Sequence, residues 1–462
     1  MDFIGRVTEL EKLDSEYTRD SASLILLHGR PKVGKTSLIR KFVENKQYFY
    51  FLASEESEAM NRDAFKRLVA DYLNDDLLRE SVVESWEIIF KELLSNIGTQ
   101  RLLIVIDDFQ NLLYNNVSFL SLFQSIWDNL LSKANVMVIL SSSLVSSISS
   151  QLLSYSSLLY GRFTSQIRLL PLSFSQYQEY MKKDISEMEL VKRYSVTGGF
   201  PKYIEALNNT DSLKKAIQLN LLNPSSLIYE EPLNLIQKEL REAGVYISIL
   251  RSIAACNNNL TKIAALTQQK ITNLPRYLKV LMDLDIIERD VSVTEKNPEK
   301  SRRGRYRIKD NFQSFWFKYI YPNRSYIEIG KGDSVIESLF KSFVESHVSE
   351  VYKQICQEKL WTLSAKGLLP GLLERVGHWW DNSHEIDVVG LSEKDDLLVV
   401  GECKFWKGPV GSNILYQLEQ KTAFIDWHKV SRKTIYVIFS INGFNEELKS
   451  VADSRDDVLL TK

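Results

Sequence analysis

The run Gly29-Arg30-Pro31-Lys32-Val33-Gly34-Lys35-Thr36 constrains this chain more than any other, because it satisfies the pattern GxxxxGK[ST] at every fixed position. Its flanks supply the order that such a loop needs. Ser23-Leu24-Ile25-Leu26-Leu27 is a short, nearly continuous apolar run suited to a buried parallel strand, and Ser37-Leu38-Ile39-Arg40-Lys41-Phe42 opens a helical pattern. Strand, glycine-bearing loop and helix N-terminus in succession make a cradle for phosphate. Backbone N–H groups and the positive end of the helix face the anion, Lys35 adds a point charge, and the Thr36 hydroxyl is placed for Mg²⁺. Gly29, Arg30, Pro31, Lys32, Val33, Gly34, Lys35, Thr36 and Ser37 are the expected phosphate-binding residues.

The chain has 462 residues, more than one hydrophobic core organises, so about three domains are expected. It is 44% hydrophobic and 25% charged with a net charge of −1, a globular and near-neutral balance in which nucleic-acid contact must rest on local patches. Cys256, Cys356 and Cys403 are odd in number and far apart, which offers neither a disulfide framework nor CxxC zinc spacing and fits a reducing cytoplasm. The first residues lack the basic and apolar regions of a signal peptide, and no run approaches 18 apolar residues, so no membrane span is expected.

After the first helix, Tyr48-Phe49-Tyr50-Phe51-Leu52 reads as a second strand and residues 63–94 as helical. Leu102-Leu103-Ile104-Val105-Ile106 is a buried strand that ends in Asp107-Asp108, the pattern of a Walker B element. Asp107 is then the residue of the Mg²⁺ shell, acting through Thr36 or water, and Asp108 either orients the attacking water or caps the next helix. Val136-Met137-Val138-Ile139-Leu140 is a further strand, followed by Ser141-Ser142-Ser143. Leu159-Tyr160-Gly161-Arg162-Phe163 precedes a last strand at 167–172, and Arg162 is either a phosphate ligand or a surface ion-pair partner. Ser195-Val196-Thr197-Gly198-Gly199-Phe200-Pro201 is a turn between helices.

Taken in order over residues 1–235, these elements resemble the STAND and AAA-like ATPases, and within them the mainly archaeal-type ATPase family. The resemblance implies that Phe3-Ile4-Gly5-Arg6, with Glu9-Leu10, packs against adenine, so Gly5 and Arg6 join the nucleotide-binding set. It implies that one of Ser141–Ser143 senses the γ-phosphate and that Pro201, in Gly199-Phe200-Pro201, belongs to a helical lid over the nucleotide. ATP and Mg²⁺ are the implied cofactors. The family places a Glu where this chain has Asp108, one methylene shorter, so slow hydrolysis, or binding without turnover, is an open outcome.

From Val245 to Leu284 the pattern becomes short amphipathic helices with Pro275 in the first turn of the last, which is helix-turn-helix punctuation. Strands at 285–289 and 306–308 enclose a charged tip, as in the wing of a winged helix. Residues 289–309 carry eight Lys or Arg against three acids, net +5, enough to track DNA phosphates if the wing is not merely solvated.

The last part of the chain holds a second constellation. Residues 336–356 have helical periodicity and present Glu350; 385–391 alternate as a strand; 397–404 return as a buried strand. Period two puts Glu402 and Lys404 on one face, and the hairpin brings Asp387 alongside. Asp387 and Glu402-Cys403-Lys404 form D-x14-E-x-K, which resembles the PD-(D/E)xK nuclease superfamily, with Gln417 and Lys421 one turn apart on the following helix. The resemblance implies that Asp387 and Glu402 bind Mg²⁺ and that Lys404 assists the water or the phosphorane; a structural ion pair is the alternative.

The expected fold is α/β: a P-loop parallel sheet over residues 1–175, a helical lid over 176–240, a winged helix over 241–325, and a small restriction-endonuclease-like α/β domain over 326–462. The expected function is ATP binding and hydrolysis that gates a DNA-binding or DNA-cleaving C-terminal domain, with DNA met by the 289–309 wing and that domain. The alternative is a STAND-type signalling or assembly switch, a homo-oligomer or partner-binding protein whose terminal domain only recognises.

Overall fold

The structure is a computed structural model that describes residues 5–95, 100–116, 118–143, 152–181, 185–208, 210 and 212–462. Phe3 and Ile4 lie outside the described residues. The chain divides into two compact units, one of Met1–Tyr180 with Phe200–Lys202, the other of Met181–Gly199 with Tyr203–Lys462.

The first unit is built on a five-stranded sheet of β1 (Ser23–Gly29), β2 (Tyr48–Leu52), β3 (Leu102–Asp107), β4 (Val136–Ser143) and β5 (Ser165–Arg168), in the order β2-β3-β4-β1-β5 with every pair parallel. The unbroken apolar runs of β1, β3 and β4 are explained by this placement: these are the three central strands, and Leu24 to Leu27, Leu102 to Ile106 and Val136 to Leu140 are all buried. Each such side chain contributes roughly 1.5–3 kcal/mol through the apolar surface that it removes from water. Helices α1 (Val7–Tyr17) and α2 (Lys35–Val43) flank β1. The stretch expected to be helical over 63–94 is three helices, α3 (Glu58–Leu73), α4 (Asp76–Glu80) and α5 (Trp86–Ser95). The first of the two breaks has a local cause: Asn74 turns left-handed at φ 55°, and the Asp75 side chain then caps the next helix by accepting from Leu78 N at 3.0 Å. After β3 come α6 (Gln110–Asn115) and α7 (Phe119–Asn129).

In the second unit, helices Ala243–Ala254, Leu260–Thr267 and Leu274–Asp283 lead into an antiparallel hairpin of β6 (Ile287–Asp290) and β7 (Arg305–Ile308). Beyond the helix Ser349–Ala365 a mixed sheet forms from β8 (Arg375–Trp380), β9 (Glu385–Ser392), β10 (Leu397–Lys404), β11 (Lys433–Ser440) and β12 (Val458–Thr461), in the order β12-β11-β10-β9-β8. β9 and β10 are antiparallel neighbours at the centre, and the helix Ser412–Thr422 covers β10 and β11. Asp387 shares its strand face with the buried Val389 and Leu391, and Glu402 shares its own with Leu398 and Val400. Among the described residues no helix is long and apolar enough to cross a membrane.

The β6–β7 hairpin is fastened to β8. Val293 N donates to His378 O at 2.9 Å, His378 Nδ1 lies 2.7 Å from Asp290 Oδ2, and Arg305 pairs with Glu385 at 3.0 Å while its guanidinium stands over the Trp380 ring.

Gly29 ends β1 where the chain must pass Leu169 closely: a Cβ there would stand 2.4 Å from the Leu169 carbonyl oxygen. That neighbour is backbone and cannot turn aside. Gly29→Ala is expected to destabilise the first unit by about 1–3 kcal/mol, the usual range for forced overpacking. Hydrogen exchange of the β1 amides checks it, with faster exchange expected in the variant.

Candidate functional site

The loop between β1 and α2 has the backbone of an anion cradle. Lys32 is left-handed at φ 68° and Gly34 lies at φ 103°, a conformation that side chains other than glycine's avoid. Lys35, the first residue of α2, is buried and donates through Nζ to Gly29 O at 3.1 Å, Arg30 O at 3.3 Å and Ser143 Oγ at 3.0 Å. All three acceptors are neutral. Burial therefore pushes the Lys35 ammonium down to about 8, against the pull of Asp108 and Asp107. Burial, together with the neighbouring Lys202, likewise lowers Lys32 to about 8. A phosphate group would relieve both.

The strand ends complete the site. Thr36 Oγ1 donates to Asp107 Oδ2 at 2.9 Å, the hydroxyl–carboxylate pair that fits an Mg²⁺ shell. Tyr50, in β2, donates to the same oxygen at 2.8 Å, and burial with this bond raises its pKa. Asp107 Oδ1 accepts from Asp108 N at 3.0 Å. Asp108 is left-handed at φ 51°, a conformation that costs roughly 1–2 kcal/mol in a residue with a side chain and is best tolerated by Asp and Asn. Its Oδ1 accepts from Gln110 Nε2 at 2.9 Å, and Gln110 Oε1 accepts from Ser143 N at 3.1 Å.

Of the three serines after β4, it is Ser143 that meets Lys35; Ser141 Oγ is buried without a partner. Arg162 is spent elsewhere: it grips Asp128 through Nε at 2.8 Å and Nη2 at 2.7 Å, so the ion-pair alternative holds for it. Arg6 is buried, left-handed at φ 65°, and donates to Val33 O at 3.2 Å and Leu170 O at 2.5 Å, which ties the segment before α1 to the phosphate loop. Gly5 adjoins Leu172 and Gln176 at φ 75°. Arg30 is buried with its guanidinium over the Phe200 ring, and Pro201 lies 3.6 Å from where a Gly34 Cβ would be. Val33 is buried, Pro31 half-buried, and Ser37 exposed. Tyr50 and Gln110 escaped the sequence reading. A tyrosine in the strand beside β3, and a glutamine two residues after Asp108, were the signals.

The second constellation also assembles. Asp387 and Glu402 are buried at 8% and 4% exposure, and each of their oxygens accepts a hydrogen bond. Asp387 Oδ1 meets Lys353 Nζ at 3.0 Å and Oδ2 accepts from Cys403 N at 3.0 Å; Glu402 Oε1 meets Lys421 Nζ at 2.6 Å and Oε2 meets Lys404 Nζ at 2.8 Å. Burial works to raise the Asp387 carboxyl, but Lys353, the Cys403 N–H and Lys404 outweigh it and hold it below the usual range. Lys353, from the helix Ser349–Ala365, also meets Glu350 at 3.0 Å. Gln417 is exposed. Among the described residues no three His, Cys, Asp or Glu side chains gather as a ligand set. A divalent ion here would take two carboxylates and fill its shell with water or substrate oxygens, which is how Mg²⁺ is commonly held.

A phosphate loop on β1, an acidic end on β3 and a parallel β2-β3-β4-β1-β5 sheet define a P-loop ATPase. Residues 3–207 match a family described as an ATPase domain predominantly from Archaea, and residues 316–421 match one described as archaeal and bacterial proteins of unknown function. An uncharacterized protein of Methanocaldococcus jannaschii is 35% identical over 407 residues, covering 88% of each chain. An uncharacterized ATP-binding protein of the same organism is 51% identical over 45 residues, 10% of this chain and 76% of that one. The Walker-type ATPase of Pyrococcus abyssi superposes with a TM-score of 0.50 at 20% identity, covering 69% of this chain and 96% of that one. The chain belongs to the archaeal-type P-loop ATPase family and is an ATP-binding ATPase.

Contact of Lys35 and Lys32 with the triphosphate is expected to give ATP affinity a pH dependence of definite sign. Contact with the triphosphate favours the charged ammonium, so the bound-state pKa lies above the free-protein value of about 8. Affinity is full below pH 8 and falls as the pH rises through 8 toward the bound-state value, by up to about tenfold per unit for each lysine. Titration calorimetry between pH 7 and 9.5 checks it. Lys35→Met is expected to weaken binding at pH 7 and to remove its share of the pH dependence, leaving that of Lys32.

Proposed function

We propose that this ATPase uses its nucleotide state to govern a C-terminal domain that binds and cuts DNA. The observation that carries the reading is the pair of buried carboxylates, Asp387 and Glu402, on neighbouring strands with Lys404 beside them. In this reading residues 176–240 are a lid, 241–325 a winged helix and 326–462 a PD-(D/E)xK nuclease-like domain. Asp387 and Glu402 would hold Mg²⁺, which when bound supplies a polarised water and neutralises charge on the scissile phosphate. Lys404 presents its ammonium to the developing negative charge, Lys421 keeps Glu402 oriented, and Gln417, on the exposed side of the same helix, positions phosphate. In the first unit Asp107 and Thr36 would hold the nucleotide's Mg²⁺, and Asp108 orients water.

The wing divides into two sets of cations. Arg305, Arg307 and Lys309 are ion-paired with Glu385, Glu288 and Asp285, and Arg289 is bonded to the carbonyls of Pro298 and Ser301. Lys296, Lys300, Arg302 and Arg303 are exposed, and in this reading they are the cations that track DNA phosphates. The Arg305–Glu385 pair supports a common surface, since Glu385 lies two residues from Asp387 and 3.9 Å from Lys353. Chain connectivity supports the gating: Phe200–Lys202 belongs to the ATPase unit while the segments on either side of it belong to the other.

A second reading, a nucleotide-dependent signalling or assembly switch, is favoured by one observation. Lys353, Lys404 and Lys421 already neutralise Asp387 and Glu402, as a purely structural ion cluster would require.

Nicking of supercoiled DNA in Mg²⁺ or Mn²⁺, with and without ATP, decides between them. Cleavage by the parent is expected, with at least hundredfold loss in Asp387→Ala, Glu402→Ala and Lys404→Ala. No cleavage under any of these conditions, or undiminished cleavage by the Asp387 and Glu402 variants, hands the protein to the switch reading.

A further inference from the structure

The side chain of Gln110 is buried between two parts of the ATPase site that lie on different strands. Asp108 follows the end of β3, Ser143 ends β4, and the Gln110 amide joins them by donating to Asp108 Oδ1 at 2.9 Å and accepting from Ser143 N at 3.1 Å. The arrangement is directional. A carboxylate only accepts and a backbone N–H only donates, so the amide can satisfy both neighbours in one orientation alone. The Asp108 backbone is held too, in the left-handed region at φ 51°, with Phe109 N donating to Ser141 O at 2.9 Å and Asn111 N to Asp108 O at 2.9 Å. Both the chain and the carboxylate of Asp108 are therefore referenced to the end of β4. At that end Ser143 Oγ accepts from Lys35 Nζ at 3.0 Å, the ammonium that a triphosphate would draw away.

We propose that Gln110 is a positioning residue for ATP hydrolysis, setting the Asp108 carboxylate relative to Ser143 so that occupation of the phosphate cradle and orientation of the attacking water change together. The inference rests on Asp108 being the residue that orients that water. In this proposal Gln110 acts through Asp108, to whose Oδ1 it donates. Ser143 is the point where the phosphate end of the site enters the chain of contacts. Each link is a single hydrogen bond within a turn or strand end, so substitutions at Gln110 need not disturb the sheet.

The expected kinetic signature is a separation of turnover from binding. Gln110→Ala is expected to lower kcat by tenfold to a hundredfold while the ATP dissociation constant changes by less than threefold. Gln110→Glu keeps the size and the bond to Ser143 N but sets a carboxylate against Asp108, which restores a donor only when the pair shares a proton. Its kcat is therefore expected to rise as the pH falls from 8 to 6, a recovery that the parent does not show and that a merely structural contact would not produce. In single-turnover measurements the double variant Gln110→Ala with Asp108→Asn is expected to be no slower than Asp108→Asn alone.

Parental kcat in both Gln110 variants overturns the inference, as does a kcat loss that adds fully to that of Asp108→Asn. If Gln110→Ala melts early, the pH profile of Gln110→Glu decides by itself, and a profile parallel to the parent's counts against the proposal. Unchanged turnover in Asp108→Asn removes instead the water-orienting role of Asp108, and the inference with it. A parent that binds ATP without turnover removes both.

Discussion

A buried ammonium whose hydrogen-bond acceptors are all neutral is the interaction on which the ATPase site turns. Lys35 lies at the first turn of α2 and is held by two carbonyls of its own loop and the hydroxyl of Ser143. Desolvation is not repaid by a carboxylate in contact, so the charge stays poorly compensated until an anion arrives. The same constraint explains the surrounding geometry. Gly34 and Lys32 take left-handed backbone so that the loop closes around the ammonium, and Arg6 fastens Val33 from outside. Asp107, meanwhile, is fully engaged by Thr36, Tyr50 and the Asp108 amide. One positive charge is left wanting, the arrangement that suits a phosphate.

The C-terminal cluster solves the opposite problem. There two buried carboxylates would be costly alone, and three lysines with one backbone N–H occupy all four oxygens. The lysines come from three different places: β10 itself, the helix that follows it, and the helix Ser349–Ala365 that precedes the sheet. Such a cluster favours one packing of these helices on the sheet, because a slipped helix would leave an unpaired charge behind.

What could be read from the sequence followed the range of the signal. The phosphate loop, the apolar runs of β1, β3 and β4, and the hairpin carrying Asp387 and Glu402 were legible because each is encoded in contiguous residues whose periodicity matches one element. Relations across elements were not. The choice of Ser143 among three serines depends on the parallel pairing that sets β4 beside β1, and the engagement of Gln110 depends on the turn after β3. Arg162 stands in the sequence as a candidate for phosphate, with a surface ion pair the commoner role for such an arginine, and the placement of α7 brings Asp128 to it. The first of the two breaks in the 63–94 stretch, between α3 and α4, was written locally in Asn74-Asp75, but helical periodicity on both sides masked it. Residues 289–309 carry a net charge of +5, yet half of their eight cations are already bonded within the protein. Composition measures how much charge a segment carries and says nothing of what remains uncommitted.

The discontinuity of the ATPase unit bears on how chains of this kind can be recombined. Phe200, Pro201 and Lys202 serve the phosphate loop, although nineteen residues of the other unit separate them from Tyr180 and the chain returns to that unit at Tyr203. A single crossover after Tyr180 would therefore pair one parent's sheet with another parent's Pro201 and Lys202. A single genetic join can pass on the whole ATPase unit only by carrying residues 181–199 of the other unit with it, so exchange of C-terminal domains between relatives keeps the loop and the 200–202 segment matched only when the join falls beyond Lys202.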